Sequence, residues 1–287
     1  MTQQAAEKAS IWQSQWMIRI RNLEFILGIS LTLLLAGLVF LSPWLFADKA
    51  DSINLLARLS PPLANAQYPL GTDALGRDIL ARIAAGGKVS FIVGIYSSLG
   101  AVILGAVLGL YAGYYGGWLD TFVMRFADIQ LAFPFILFAM TIIAIYGPSL
   151  ERIIFVMIAT QWVQYARIIR GSVLALRERT FILAAKSYGQ SSINIIFKHI
   201  LPNAMGPLII LLTLNIANNI LLESSLTFLG LGVDPQTPSW GGMLAEGRNY
   251  IQTAWWITLF PGLAIMLTVL GLNLLGDWLR DQLGKSV

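Results

Sequence analysis

The sequence predicts an all-α integral membrane protein of six transmembrane helices, with one long loop on each side of the bilayer. Three observations lead there. Of 287 residues, 56% are hydrophobic and 12% charged, about half the charged share of a soluble domain and too little to cover a water-facing surface. Five uncharged runs lie between Glu24 and Asp48, Lys88 and Asp120, Asp128 and Glu151, Lys198 and Glu223, and Arg248 and Asp277. Each exceeds the roughly 20 residues needed to cross a hydrocarbon core of about 30 Å. Of the 19 Lys and Arg, finally, 12 fall in alternate segments and 7, among them Arg77, Arg82 and Lys88, in the others, a bias of the kind cytoplasmic loops show. The apolar content excludes disorder, and the short alternating strands of an outer-membrane barrel are missing.

The elements follow in order. Residues 1–24 form a tail. The first span, 25–46, is too long for a signal-peptide core of 7–15 residues and lacks a small-residue cleavage pattern, so it reads as a retained anchor. Residues 47–88 form an extracytoplasmic loop containing Pro61, Pro62 and Pro69. There Asp73–Arg77 and Asp78–Arg82 have the favourable i,i+4 order for a short helix. The second span is 89–111, and Gly105 and Gly109 within it suit close helix packing. The third, 126–146, is kinked at Pro134. The fourth, 153–170, rests on the shortest apolar run. Loop 171–202 is the one sizeable cytoplasmic loop. Helix formers occupy 173–187 and Gly189 ends them. A second short helix carries Ile193, Ile196, Phe197 and Ile200 at helical spacing. Pro202 fits the first turn of the fifth span, 204–229, where a missing N–H costs nothing. An ordered external turn, Gly230 to Gly247 with Pro235, Pro238, Trp240 and Gly241, precedes the sixth span, 253–276. Trp255 and Trp256 open that span as interfacial anchors, and Pro261 kinks it.

With the N-terminus inside, Lys8, Arg19, Arg21, Arg125, Arg280 and Lys285 are cytoplasmic, together with six basic residues from Arg167 to Lys198. Both termini are then cytoplasmic. A net charge of +4 dispersed among apolar runs makes no nucleic-acid surface. Cysteine is absent, which removes disulfides and thiolate metal sites. The lone His199 has no ligand-spaced neighbour, so neither a metal site nor a catalytic site is expected. Two carboxylates enter or border spans. Asp128, three residues after Arg125, reads as half of a packing ion pair. Glu223 ends a polar stripe with Asn215, Asn218 and Asn219, which either lines a translocation cavity or holds the bundle by interhelical hydrogen bonds.

Ala184-Ala185, Gly189 and Leu201-Pro202 resemble the EAA loop of ATP-binding cassette importer permeases. Leu70-Gly-Thr-Asp-Ala-Leu-Gly-Arg-Asp78, Gly109-Leu-Tyr-Ala-Gly-Tyr-Tyr-Gly-Gly-Trp118, Phe228-Leu-Gly-Leu-Gly232, Pro238-Ser-Trp-Gly241, Phe260-Pro-Gly-Leu-Ala-Ile265 and Asn273-Leu-Leu-Gly-Asp277 extend the likeness. They are similar to the C-type subunit of the dipeptide/oligopeptide permease family. The resemblance implies a type I importer permease fold in a bacterial inner membrane, with 171–202 as a coupling loop seated on a separate ATPase through Ala184, Ala185, Ser187, Gly189, Leu201 and Pro202. It implies a homologous second permease, two nucleotide-binding ATPase subunits and an extracytoplasmic solute-binding protein, besides membrane lipid. The chain has no G-x-x-x-x-G-K-[ST] cradle, so ATP and Mg would be bound by the partners. The gate or docking role of 230–247 is an expectation of the same kind, whereas the path role of Asn215, Asn219 and Glu223 is read from the polar stripe itself. Two departures stand out: Leu183 where the family has Glu, and His199 where Ile is common. The cargo would be a di- or oligopeptide, with nickel chelates, glutathione or another small solute as alternatives. A proton-coupled secondary transporter using Asp128 and Glu223 is the reading from a different class. An intramembrane enzyme lacks its nucleophile and metal constellations.

Overall fold

The computed structural model describes residues 3–234 and 236–283, with side chains described from Asn22 on apart from those of Ala47 and Asp48. Pro235 and Lys285, and the side chains of Lys8, Arg19 and Arg21, lie outside the described residues. The helices are α1 Gln3–Phe40, α2 Ser42–Leu45, α3 Ile79–Tyr115, α4 Gly117–Leu131, α5 Phe135–Tyr146, α6 Leu150–Leu176, α7 Thr180–Ser187, α8 Ser192–Ile195, α9 Leu201–Phe228, α10 Trp240–Gly247 and α11 Trp256–Leu283. One π turn, Ile196–Ile200, joins α8 to α9.

Small residues set the packing of the bundle. A β-carbon on Gly105 would overlap the Trp162 carbonyl, one on Gly109 the Ala166 carbonyl and Ile169, and one on Gly113 would crowd Val173. These contacts advance together along both helices, so α3 and α6 run parallel at backbone-to-backbone range. Against them α9 is antiparallel: Gly94 meets Ile220, and Ser90 reaches Glu223. Gly276 packs on Leu214 and reverses α11 against α9, while Gly28 packs on Gly271 and Phe25 on Trp278, reversing α1 against α11. The direction therefore alternates through the bundle. Segment 177–200 lies at the end where α6 stops and α9 starts. Segment 46–78 and α10 lie at the other.

Local sequence sets the boundaries, and several differ from expectation. Helix α3 starts at Ile79 rather than 89, because the Asp78 carboxylate accepts the Leu80 and Ala81 N–H groups at 2.9 and 3.4 Å, satisfying donors the helix itself leaves open. The first long loop thus ends at 78. Residues 126–146 do not form one kinked span: α4 and α5 meet at 83°. Pro134 has no N–H to continue the helix and its ring excludes the carbonyl four residues back, while the Ala132 and Phe133 amides turn back to Ile129 and Gln130 at 3.2 Å. By length and apolarity, four helices among the described residues can cross a bilayer, or five with the bent α4–α5 pair. The six-span count is not confirmed by this measure. Helix α6 has 27 residues, about 40 Å at 1.5 Å each, but carries Gln161, Gln164, Arg167 and Arg170 among its apolar residues and is not in that group.

The cytoplasmic-loop expectation also changes in detail. Residues 173–187 are not one helix: α6 runs to Leu176 and α7 begins at Thr180. Of the expected apolar face, Ile196 and Ile200 are buried, but Ile193 is 62% and Phe197 48% exposed. The extra residue in the π turn rotates the face, and Ile195 takes the inward position instead.

Replacing Gly109 with Ala should destabilise the purified protein by about 1–3 kcal/mol, since a backbone carbonyl is what the new methyl meets. Gly37→Ala, where nothing lies within 4 Å, should be neutral or slightly stabilising. Thermal melts in detergent would check the contrast.

Candidate functional site

At the α7 end, the chain makes a tight left-handed turn. Gly189 has φ +73°, a conformation costly for a residue with a β-carbon. The turn returns three amides to α7: Tyr188 to Ala184 at 2.9 Å, Gly189 to Lys186 at 2.9 Å and Gln190 to Ala185 at 3.1 Å. Ile182 and Ala185 face inward onto Ile195, Ile196 and Ile200. Ala184, Ser187 and Gly189 share the exposed face with Leu183, and Tyr188 is 88% exposed. The structure thus brings Ala184, Ser187 and Gly189 together and turns Ala185 away. Leu201 and Pro202 sit at the root of α9, with Leu201 packed on the same inner cluster. Two contacts fix this unit to the bundle and to itself: the Lys186 ammonium lies 5.3 Å from the centre of the Tyr114 ring, and His199 Nε2 is 2.9 Å from Gln190 Oε1. His199 is therefore a positioning contact between the two arms of the turn.

The polar stripe on α9 is an interhelical seam. Asn215 donates to the Tyr165 hydroxyl at 3.0 Å, and Asn219 donates to the hydroxyls of Ser97 and Ser98 at 2.8 Å while accepting from Gln161 at 2.6 Å. Glu223 is fully buried and accepts from Ser90 at 2.7 Å, Thr227 at 2.9 Å and Ser224 at 3.3 Å. Such side-chain partners are what a bilayer demands of any polar group it encloses. Asn218 takes no part in this network, because it points outward. Asp128 is about half exposed and pairs with Arg167 at 2.7 Å, with Arg125 farther off at 3.9 Å. A second pair, Asp120 with Arg170 at 2.5 and 2.7 Å, ties α4 to α6.

At the opposite end lies a buried ion cluster that the i,i+4 reading only half found. Asp73 does pair with Arg77, at 2.7 Å, but residues 72–78 form a loop, not a helix. Asp78 caps α3 and leaves Arg82 to Asp73 and Glu246, both at 2.6 Å. Glu246 also holds Arg77, at 3.0 Å. Burial raises the Asp78 carboxyl above the usual range, against the two amides that favour its ionised form. Sequence reasoning missed Glu246, although it is the one acid between Asp234 and Asp277. It also placed Trp256 at the membrane interface. Trp256 is buried instead and donates to the Thr72 carbonyl at 3.0 Å, while Trp240 donates to that of Ile83 at 2.8 Å. Only Trp255 keeps the exposed position.

Two cavities flank the end of α9. One, about 820 Å³, is a largely apolar groove between α9 and α11 reaching Asn273. The other, about 280 Å³, is polar and lies beside Arg82 and Glu246. Ser224 lines the first and Thr227 the second, so Glu223 sits behind both walls through its hydroxyl partners. Among the described residues no group of His, Asp and Glu is arranged to hold a metal.

A family model described as the binding-protein-dependent transport system inner membrane component matches residues 105–287. The chain belongs to that family. It is 42% identical to the dipeptide transport system permease protein of Alkalihalophilus pseudofirmus, over 97% of this chain and 91% of that one. A probable D,D-dipeptide transport system permease protein of Escherichia coli is 38% identical over 93% and 89%. The glutathione transport system permease protein of Pectobacterium atrosepticum is 38% identical over 96% and 91%. This permease is accordingly a multi-pass inner membrane protein, and the family match covers α6, the 177–200 segment and α9 together.

The ion cluster predicts an asymmetric response to neutralisation. Asp73 is 1% exposed, so Asp73→Asn leaves two guanidinium groups short of a partner and should cost this permease about 3 kcal/mol. Arg125→Gln, on the exposed long pair, should change stability by less than about 0.5 kcal/mol. Melting of the two purified variants separates the cases.

Proposed function

We propose that this chain is one of two permease subunits of a bacterial ATP-driven importer of short peptides, transmitting ATPase closure to the translocation path through the 177–200 segment. The observation that carries the reading is the α7 turn: it exposes Ala184, Ser187, Gly189 and Tyr188 at one end of a bundle whose other end holds the polar cavity. In this reading both termini and the 171–202 loop are cytoplasmic, and the 46–78 segment with α10 meets an extracytoplasmic solute-binding protein. A homologous second permease completes the path, and two ATPase subunits bind ATP and Mg and do the hydrolysis. Ala185, Leu201 and Pro202 act from behind, setting the angle between α7 and α9. Leu183 replaces the family's Glu with an apolar contact, so docking here relies on Leu183, Tyr188 and shape rather than on charge.

The names of the relatives support a peptide cargo, with glutathione, itself a peptide, as the variant they include. Asn215, Asn219 and Glu223 form the wall of the path from behind, with Ser224 and Thr227 facing the cavities. A proton-coupled carrier is disfavoured by the same geometry. Asp128 is engaged by Arg167 at the surface and Glu223 is enclosed between α3 and α9, so among the described residues no shared network joins the two carboxylates.

Gly189→Arg tests the assignment. It places a β-carbon at φ +73° and a long cation on the docking face. The importer should still assemble, while ATP-dependent peptide uptake into vesicles and peptide-stimulated ATP hydrolysis should fall together by about tenfold or more. Purification of the chain without any ATPase, or undiminished uptake by the variant, contradicts the reading.

A further inference from the structure

The outward face of α9 carries a polar group that nothing in the bundle explains. Asn218 is exposed and Asn273 on α11 is half-buried, and neither side-chain amide has a hydrogen-bond partner among the described residues. The two lie side by side. From the contact of Gly276 on Leu214 the antiparallel helices advance in opposite directions, which brings Asn273 level with Ala217 and so next to Asn218. Each is the eighteenth of 28 residues in its helix, about 5 Å past the midpoint at 1.5 Å per residue, inside the hydrocarbon core that a spanning helix crosses. An amide has two N–H donors and an acceptor oxygen to satisfy, and acyl chains supply neither kind of partner.

Both amides border an apolar furrow long enough for a helix. The groove of about 820 Å³ between α9 and α11 starts at Asn273 and at Leu221, one turn from Asn218. A second groove of about 470 Å³ shares Gly262 and Met266 with it and continues past Thr258 to Trp255. From Asn273 to Thr258 the two follow α11 for about 23 Å, most of a core of about 30 Å. Hydroxyls in the walls are already satisfied: Ser224 donates to Glu223 at 3.3 Å and Ser225 to the Leu221 carbonyl at 2.7 Å. A glycine gives a further sign. On α11 the space beside Gly271 and Gly276 is filled by Thr32 and Leu214, whereas a β-carbon on Gly262 would meet nothing nearer than Leu244 at 3.9 Å. Glycine weakens a helix interior, and no contact among the described residues requires one at 262.

We propose that this furrow seats a transmembrane helix of the homologous second permease, with a side-chain amide or hydroxyl of that helix bonded to Asn218 and Asn273. Polar pairs and small residues are what hold helices together in lipid. Here one end of the furrow offers the two amides, and its middle offers Gly262 for close approach. An acyl chain leaves the amides unsatisfied. An extended peptide leaves most of its own backbone groups facing Leu221, Ile265, Met266 and Leu270, which is costly. A helix arrives with its backbone already paired. Its place against Ser224 puts the second permease directly in front of the Glu223 seam. The inference rests on the two-permease reading and deepens it by naming the face on which the partner sits.

The test uses the whole importer in lipid nanodiscs, with p-benzoylphenylalanine in place of Leu270, a groove residue 44% exposed. Irradiation should join this chain to the second permease, identified by mass spectrometry of the adduct. Adducts with lipid alone, with the supplied peptide or with a second copy of this chain overturn the proposal, each in favour of the occupant it names. Two variants measure the contact itself. Gly262→Leu fills the furrow and should lower the second permease recovered with the tagged chain by about tenfold. Asn218→Leu combined with Asn273→Leu, a change that lipid accepts, should weaken the association by about threefold for each amide. In both, the ATPase recovered through the α7 end should stay at its original level, which shows the chain to be folded. Recovery of the second permease unchanged in both variants overturns the proposal. The unaltered chain tests the reading beneath it: ATPase without any second permease sinks the two-permease reading, whereas both partners present with lipid-only labelling sinks this face alone.

Discussion

Lipid offers helices little hydrophobic reason to associate, so close contact and polar pairing must hold a membrane bundle together. Here Gly105, Gly109 and Gly113 on α3 provide that contact, each at a spot where the α6 backbone or a side chain already fills the space of a β-carbon. Parallel alignment of α3 and α6 follows, and with it the return of α9 and the reversal of α11. Because α6 descends beside α3 and continues directly toward α7, the turn at Gly189 is displayed at one end only. The placing of the Gly189 turn and the ion cluster at opposite ends is a consequence of that glycine row.

The scarcity of charge then decides how each polar group is used. Within the seam, Glu223 is met by hydroxyls from Ser90, Ser224 and Thr227 rather than by a cation, a solution that short side chains can provide between tightly packed helices. At the α10 end a four-member ion cluster joins the 46–78 segment, α3 and α10. Buried ion pairs are poor sources of net stability but strict about geometry, and here the geometry fixes the loop to α3 and α10. The indoles of Trp240 and Trp256 reinforce it by donating to backbone carbonyls of α3 and the loop.

Composition and uncharged runs made the membrane class and the helical architecture legible in the sequence, and Gly189 made the position of the turn after α7 legible. Gly189 and Pro202 are strong signals because each residue type permits one backbone solution at its place. Features that depend on through-space partners were not legible. A π turn cannot be read from apolar spacing, so Ile193 and Phe197 were placed inside when Ile195 belongs there. The i,i+4 order of Asp78 and Arg82 suggested a pair, but the capping demand of α3 took Asp78 and a distant Glu246 took Arg82. Pro134 was read as a kink, since sequence does not show whether neighbours can re-satisfy the freed carbonyls. Glycine at 105 and 109 suggested packing without naming α6 as its object.

Docking of the α7 turn on an ATPase subunit, at the end away from the ion cluster, is the claim from which the rest of the mechanism follows. The chain has no cysteine, so one introduced thiol reports one place. Tyr188→Cys, at a side chain 88% exposed beside Gly189, and Leu56→Cys, at a fully exposed side chain of the 46–78 segment, can each be treated with a short bifunctional maleimide in the assembled importer. The account predicts a covalent adduct with the ATPase subunit from position 188 and none from position 56. An ATPase adduct from position 56, or its absence from position 188 in an importer that still transports, would contradict it.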